Sequence, residues 1–215
     1  MKGVSLRMQR IYLVRHGETD WNKQLRYQGQ RDIPLNEEGR RQAMCVADYL
    51  AGERIEMVFS SPLLRARETA TLIGEKHGLK LSMEHSLVEI DFGEWEGRNY
   101  NELKQDEQDM AERWFFSPDT INIPGGESYS VFKERVLVGY DKIRKTDDNK
   151  NIALVTHAGV IRIIIASILD MPASAVTRLR LSPASLTILL YDDWENSYLE
   201  IFNQSCYLQD IKKKL

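Results

Sequence analysis

Cysteine is scarce in this chain of 215 residues: there are two, Cys45 and Cys206, far apart in sequence. With no CxxC and no HxxxH spacing, the chain offers neither a disulfide framework nor a zinc-type ligand set. Both thiols are expected to be reduced and packed, Cys45 within a helical pattern and Cys206 after a strand pattern. Long apolar runs are also missing. The longest, Val160 to Met171, is interrupted by Arg162 and falls short of the roughly 20 residues that span a bilayer. Met1 to Arg7 carry basic side chains but no apolar signal-peptide core. The expectation is a soluble cytoplasmic protein with no membrane partner.

A basic excess is absent as well. Net charge is −3 and the isoelectric point about 5.9, which argues against nucleic acid or an anionic membrane as a partner. The Lys212-Lys213-Lys214 tail is short and terminal, and reads as a solvated end. No repeat of 20–50 residues and no low-complexity segment interrupts the chain. What is there is ordinary for a globular protein: 42% apolar and 28% charged residues. The length suits one α/β domain, residues 1–215, with an inserted segment.

Apolar runs at 11–14, 57–59 and 152–156 read as buried strands, each closed by a turn and followed by a helical pattern. Asn36 offers a cap for the first long helix, with Glu37 and Glu38 in its first turn and Ala43, Val46, Ala47 and Leu50 on one face. Pro62 is placed in the first turn of the next helix, which carries Arg65 and Arg67. A strand is expected within Leu81 to Ile90, ending near Glu89. Trp95 to Pro124 reads as helical segments capping one end of the sheet. Pro124-Gly125-Gly126 marks a turn, and Phe132, Val136, Tyr140 and Ile143 line the helix beyond it. Leu186–Tyr191 and Tyr198–Phe202 form a terminal hairpin around Asp192 to Asn196. Alternating strands and helices predict a mostly parallel sheet covered on both faces, a three-layer α/β/α sandwich with residues about 95–125 as a cap-like insertion.

The chemistry gathers at strand ends. Arg15-His16-Gly17-Glu18 follows the first strand directly, Arg65 lies on a helix start, and His157-Ala158-Gly159 follows the 152–156 strand. Parallel strands with right-handed crossovers bring their carboxyl ends to one edge of the sheet. Two histidines and two arginines there suit a dianionic phosphate better than a metal, although His157 taken alone reads first as a core or turn histidine at a strand end.

Leu13 to Thr19, Ser60-Ser61-Pro62-Leu63-x-Arg65-Ala66, Glu89-Ile90-x-x-Gly93 and Val155 to Gly159 stand in one order, from about residue 10 to about residue 205. In this the chain resembles the histidine phosphatase superfamily, the phosphoglycerate-mutase-like fold. The resemblance implies that His16 attacks phosphorus and forms a phosphohistidine, while Arg15 and Arg65 clamp the phosphoryl oxygens. It implies a protonated His157 that stabilises transition-state charge. Asn22, Gln28, the Gly29 backbone and Ala158 would contribute further substrate contacts. Glu89 would protonate the leaving oxygen and then activate water. By sequence alone Asp91, Glu94 and Glu96 compete for that role, and the Glu-Ile-x-x-Gly register favours Glu89. Glu18 and Arg67 are expected in structural ion pairs.

Mutases of this superfamily carry an added basic cluster in the insertion. Residues 99–123 here hold Lys104 and Arg113, no Arg-Arg pair, and several acids. Phe92 to Gly97 and Pro124 to Ser128 look like the phosphatase branch, including broad-specificity and α-ribazole phosphatases. The implied activity is a metal-independent, cofactor-free, histidine acid phosphatase-type hydrolysis of a small phosphomonoester. A cofactor-dependent phosphoglycerate mutase is the alternative, ahead of a non-catalytic phospholigand-binding module. Trp95, Trp114, Phe115 and Phe116 are candidates for the pocket mouth, against plain core. Substrate identity and oligomeric state stay open.

Overall fold

A computed structural model describes residues 8–192 and 196–208. Its elements run β1 (Gln9–Arg15), α1 (Asp20–Lys23), α2 (Glu37–Leu50), β2 (Met57–Ser60), α3 (Leu64–His77), β3 (Leu81–Met83), α4 (Gln105–Phe116), α5 (Tyr129–Arg144), β4 (Ile152–Thr156), α6 (Ala158–Ile168), α7 (Ala173–Val176), β5 (Leu186–Tyr191) and β6 (Ser197–Gln204). The strands form one sheet in the order β3-β2-β4-β1-β5-β6. The first four are parallel, and β5 and β6 run antiparallel to their neighbours. This is the predicted mostly parallel α/β architecture.

The two-residue period of the strands divides the core. Tyr12, Val14, Ala153 and Val155 pack with α2 and α3 through Val46, Leu50, Ala70 and Ile73. Ile11, Leu13, Ile152 and Leu154 pack with α5 and α6 through Phe132, Val136, Ile161 and Ile164. Because β4 is buried at every position, it reads as a continuous apolar run rather than an alternating one. Ile164 is fully buried on α6, and its truncation to alanine would cost roughly 2–5 kcal/mol.

Helix boundaries follow local chemistry. Asn36 caps α2 as expected, its side chain accepting from the Gly39 N–H at 2.7 Å. α3 starts later than predicted: its first residue is Leu64, and Pro62 lies before the helix. The capping acceptor there comes from far along the chain, Asp32 Oδ1 receiving the Leu64 N–H at 2.6 Å.

The expected strand near Glu89 is also shorter. β3 stops at Met83, and His85–Leu87 form a 3-10 turn capped by Glu84, so Glu89 stands in a loop. The 193–195 part of the hairpin turn and the Lys212–Lys214 tail lie outside the described residues. Cys45 is half-buried, but Cys206 is exposed, against the packed thiol expected there. Among the described residues no helix is long and apolar enough to cross a membrane.

Candidate active site

β1 and β4 are adjacent and parallel, with Arg15 paired to Thr156. The residue after each strand is a histidine, so one register places His16 beside His157 with ring centroids 5.1 Å apart. The His16 N–H donates to the Thr156 carbonyl at 3.0 Å and locks that register at the strand ends. Chain direction across the sheet also reverses here: α2 leads from β1 toward β2, and α6 leads from β4 across β1 toward β5. Such a switch point is where open α/β sheets bind ligands.

His16 is buried, and its Nδ1 lies 2.6 Å from the Gly17 carbonyl. A carbonyl only accepts, so Nδ1 carries the proton and Nε2 keeps its lone pair. Burial, followed by the charges of Arg65 and Arg15, holds the His16 pKa well below the usual imidazole range. His157 is likewise buried. Its Nδ1 accepts from Arg65 Nε at 3.2 Å, and its Nε2 faces Ser61 Oγ at 2.8 Å. An arginine only donates, which makes this imidazole neutral. Burial first, then Arg65, push its pKa down as well. The protonated His157 expected from the sequence is therefore not the form found here.

A cavity of about 260 Å³ opens beside these residues, lined by Arg15, His16, Asn22, Gln28, Glu89 and Ala158 among others. Arg65, His157 and Gly29 are not among the residues that line it. Arg65 is fully buried, donating to the Gly29 carbonyl at 2.6 Å and the Arg31 carbonyl at 2.9 Å. Arg15 donates to the Leu181 carbonyl at 2.5 Å, and its Nε is buried without an acceptor. Burial pulls both guanidinium pKa values down to about 10, so both stay cationic at neutral pH. Asn22 Oδ1 receives the Thr19 N–H and hydroxyl at 3.1 Å each, leaving its NH2 as the free end. The single proton of that hydroxyl is shared with Gln28 Oε1, 2.6 Å away, and Gln28 Nε2 is buried without an acceptor.

Four acids stood near one another in sequence, and the fold separates them. Asp91 accepts from the Gly93 N–H in a local turn. Glu96 is buried and clamps the Gln30 and Arg31 N–H groups at 2.7 and 3.1 Å. Of the four, only Glu89 lines the cavity. Its Oε1 accepts from the Ile90 N–H and its Oε2 from the Gly159 N–H, each at 3.0 Å. A Cβ on Gly159 would overlap Glu89 Oε1, so the glycine after His157-Ala158 is what lets the carboxylate approach α6.

Several contributors were not read from the sequence. Arg135 donates to the Ser86, Val88 and Glu89 carbonyls, each at 2.9 Å, and grips Glu127 in a fork at 2.7 and 2.8 Å. It ties the Glu89 loop to α5, and the loop also meets the Pro124-Gly125-Gly126 turn where the Glu94 N–H reaches the Pro124 carbonyl. Arg162 lines the cavity one turn along α6 from Ala158. Its signal was the one basic residue in the Val160–Met171 run, read there only as an interruption. Trp114 lines the cavity, whereas Trp95 is fully buried core and Phe115 and Phe116 are largely exposed outside it. Glu18 accepts from the Asn36 amide at 2.9 Å instead of a cation, and exposed Arg67 meets no carboxylate among the described residues.

Comparison with known proteins agrees with this geometry. A phosphoserine phosphatase 1 from Hydrogenobacter thermophilus is 31% identical over 204 residues, covering 95% of this chain and 96% of the relative. A Salmonella choleraesuis protein named "Probable phosphoglycerate mutase GpmB" is 33% identical over 186 residues, 86% of each chain. The crystal structure of the alpha-ribazole phosphatase from Shigella flexneri superposes with a TM-score of 0.83 at 27% identity, covering 92% of this chain and 97% of that one. Residues 11–204 match the profile of one family from the first strand through the last, and the chain belongs to the histidine phosphatase superfamily (branch 1).

Proposed function

We propose that this chain hydrolyses small phosphomonoesters through a phosphohistidine on His16. The observation that carries the reading is the state of His16: Nδ1–H fixed on the Gly17 carbonyl at 2.6 Å, and an imidazole kept neutral with Nε2 unencumbered. In the first step Nε2 forms a bond to phosphorus as the ester P–O bond breaks, and Glu89 gives its proton to the departing alkoxide. In the second, Glu89 takes a proton from water, the hydroxide attacks phosphorus, and the P–N bond breaks. The products are the alcohol and inorganic phosphate, with His16 and Glu89 restored.

Charge for the phosphoryl group comes from Arg15 at the cavity wall and from buried Arg65, which does not line it, where low polarity lets a cation act without contact. Asn22 and Gln28 offer amide N–H groups, and Ala158 sits at the N-terminal turn of α6, an end that favours anions. Gly29 acts through its carbonyl, which holds Arg65. His157 stays neutral while Arg65 Nε donates to its Nδ1, so it takes up charge during turnover only if that contact opens.

A mutase reading has one specific support, the relative of that name at 33% identity. Against it, neither Lys104 nor Arg113 lines the cavity, so the insertion supplies no second basic cluster. A screen of phosphomonoesters in chelator-treated buffer, with 2- and 3-phosphoglycerate included, separates the two. The expected result is release of inorganic phosphate that His16→Ala abolishes. Interconversion of the phosphoglycerates without phosphate release would overturn it in favour of the mutase.

A further inference from the structure

Apart from Arg162, the arginines around the cavity each spend at least one terminal nitrogen on a carboxylate or a backbone carbonyl. Arg26 pairs with Glu102, Arg98 with Glu107 and Arg135 with Glu127. Arg15 and Arg65 spend donors on carbonyls beside the phosphate position. Arg162 differs. It is half-buried in the cavity wall, and its Nε is anchored on the Leu179 carbonyl at 2.7 Å. Its two terminal nitrogens have no partner among the described residues, and no carboxylate lies within ion-pair distance of it. Burial depresses its pKa, and the negative charge of Glu89 offsets part of that fall, the balance expected of a partly desolvated cation without a contact partner. The cost of that desolvation is retained where a ligand repays it.

The surroundings of Arg162 say what that ligand group is. The cavity that Arg162 lines is apolar over Ile90, Phe92, Phe132, Ile163 and Val176, and its polar groups include the Trp114 indole N–H, buried without an acceptor, the Tyr129 hydroxyl and the Glu89 carboxylate. Thr177 is also there, but its hydroxyl is spent on the Phe115 carbonyl at 2.5 Å. A planar, donor-only fork in an apolar wall is complementary to a planar, acceptor-only anion. Because the cavity holds only about 260 Å³, that anion lies within a few bonds of the phosphoester.

We propose that Arg162 forms a carboxylate subsite that selects phosphomonoesters whose leaving group carries a carboxylate near the ester oxygen. The inference rests on the phosphomonoesterase reading above, so its test is made on binding, which does not need turnover. In a His16→Ala background, calorimetry compares O-phosphoserine with O-phosphoethanolamine, a pair differing by one carboxylate, and inorganic phosphate serves as reference. The expected result is at least tenfold tighter binding of O-phosphoserine, with that ratio falling tenfold or more in Arg162→Met. Arg162→Lys recovers part of the ratio, and it keeps the comparison available if the methionine variant fails to fold. Equal affinity for the two ligands in the Arg162 protein would overturn the proposal. So would an equal loss for both ligands and for phosphate in Arg162→Met, which would make Arg162 part of the phosphate clamp. Failure of phosphate release in the His16 protein counts instead against the phosphomonoesterase reading and leaves the binding ratio to be read on its own.

Discussion

Gly159 and Glu89 form a contact that needs both residues as they are: the Gly159 N–H holds Glu89 Oε2 at 3.0 Å, and no Cβ fits between them. The carboxylate that faces the cavity is thus placed by the first turn of the helix that follows His157. Gly159→Ala is expected to push Glu89 aside by about an ångström. Misplacement on that scale costs about a hundredfold in kcat. Steady-state kinetics and a thermal melt check it, with a large fall in kcat and little change in melting temperature expected.

Arg135 works on Glu89 from the other side, through three carbonyls and the Glu127 fork. Arg135→Met leaves the largely buried Glu127 carboxylate without its partner, a loss of about 3 kcal/mol in urea unfolding. Arg135→Lys keeps the charge but not the fork, and should recover stability more than kcat.

The two buried histidines predict a pH dependence of stability. Both are held well below the ordinary value near 6.5 by burial and by the arginines. Above about pH 6.5 they are neutral folded and unfolded, and contribute no slope. Below it the unfolded chain takes up protons that the folded chain refuses, so stability falls as pH falls. Each histidine contributes up to about 1.4 kcal/mol per pH unit. Urea unfolding between about pH 7.5 and pH 5 measures the slope, and vanadate in the site should flatten it. A flat profile without vanadate would mean that the imidazoles are not held neutral.

Trp114 and Phe116 separate pocket from surface. Trp114 lines the cavity, and Phe116 is 62% exposed on the outer side of α4. Trp114→Ala should raise KM for aryl phosphates severalfold, while Phe116→Ala leaves both KM and kcat close to their original values. Parallel kinetics on the two variants decide it.

Much of this was legible before the fold was seen, for a local reason. His16 and His157 directly follow buried strands whose apolar runs are unmistakable, and parallel topology does the rest. The Asn36 cap was equally local, a side chain three residues from its donor. What escaped depends on distant partners. Glu89 leaves the sheet because β3 ends at Met83 and because Arg135, 46 residues away, holds its carbonyl. α3 begins at Leu64 because Asp32 supplies the cap. The neutral state of His157 follows from Arg65, 92 residues away, donating to its Nδ1. Arg162 looked like an interruption because its meaning depends on which face of α6 meets the cavity. Composition could not tell Trp95, sealed in the core, from Trp114 at the pocket.

The central claim is covalent chemistry on one nitrogen. Single turnover of a radiolabelled aryl phosphate, quenched in alkali to preserve phosphohistidine and followed by peptide mapping, tests it most directly. The prediction is one phosphoryl group on His16, formed before phosphate appears in solution and lost at the rate of phosphate release. Phosphate release at an undiminished rate from His16→Ala, with no label on the His16 peptide, would contradict it.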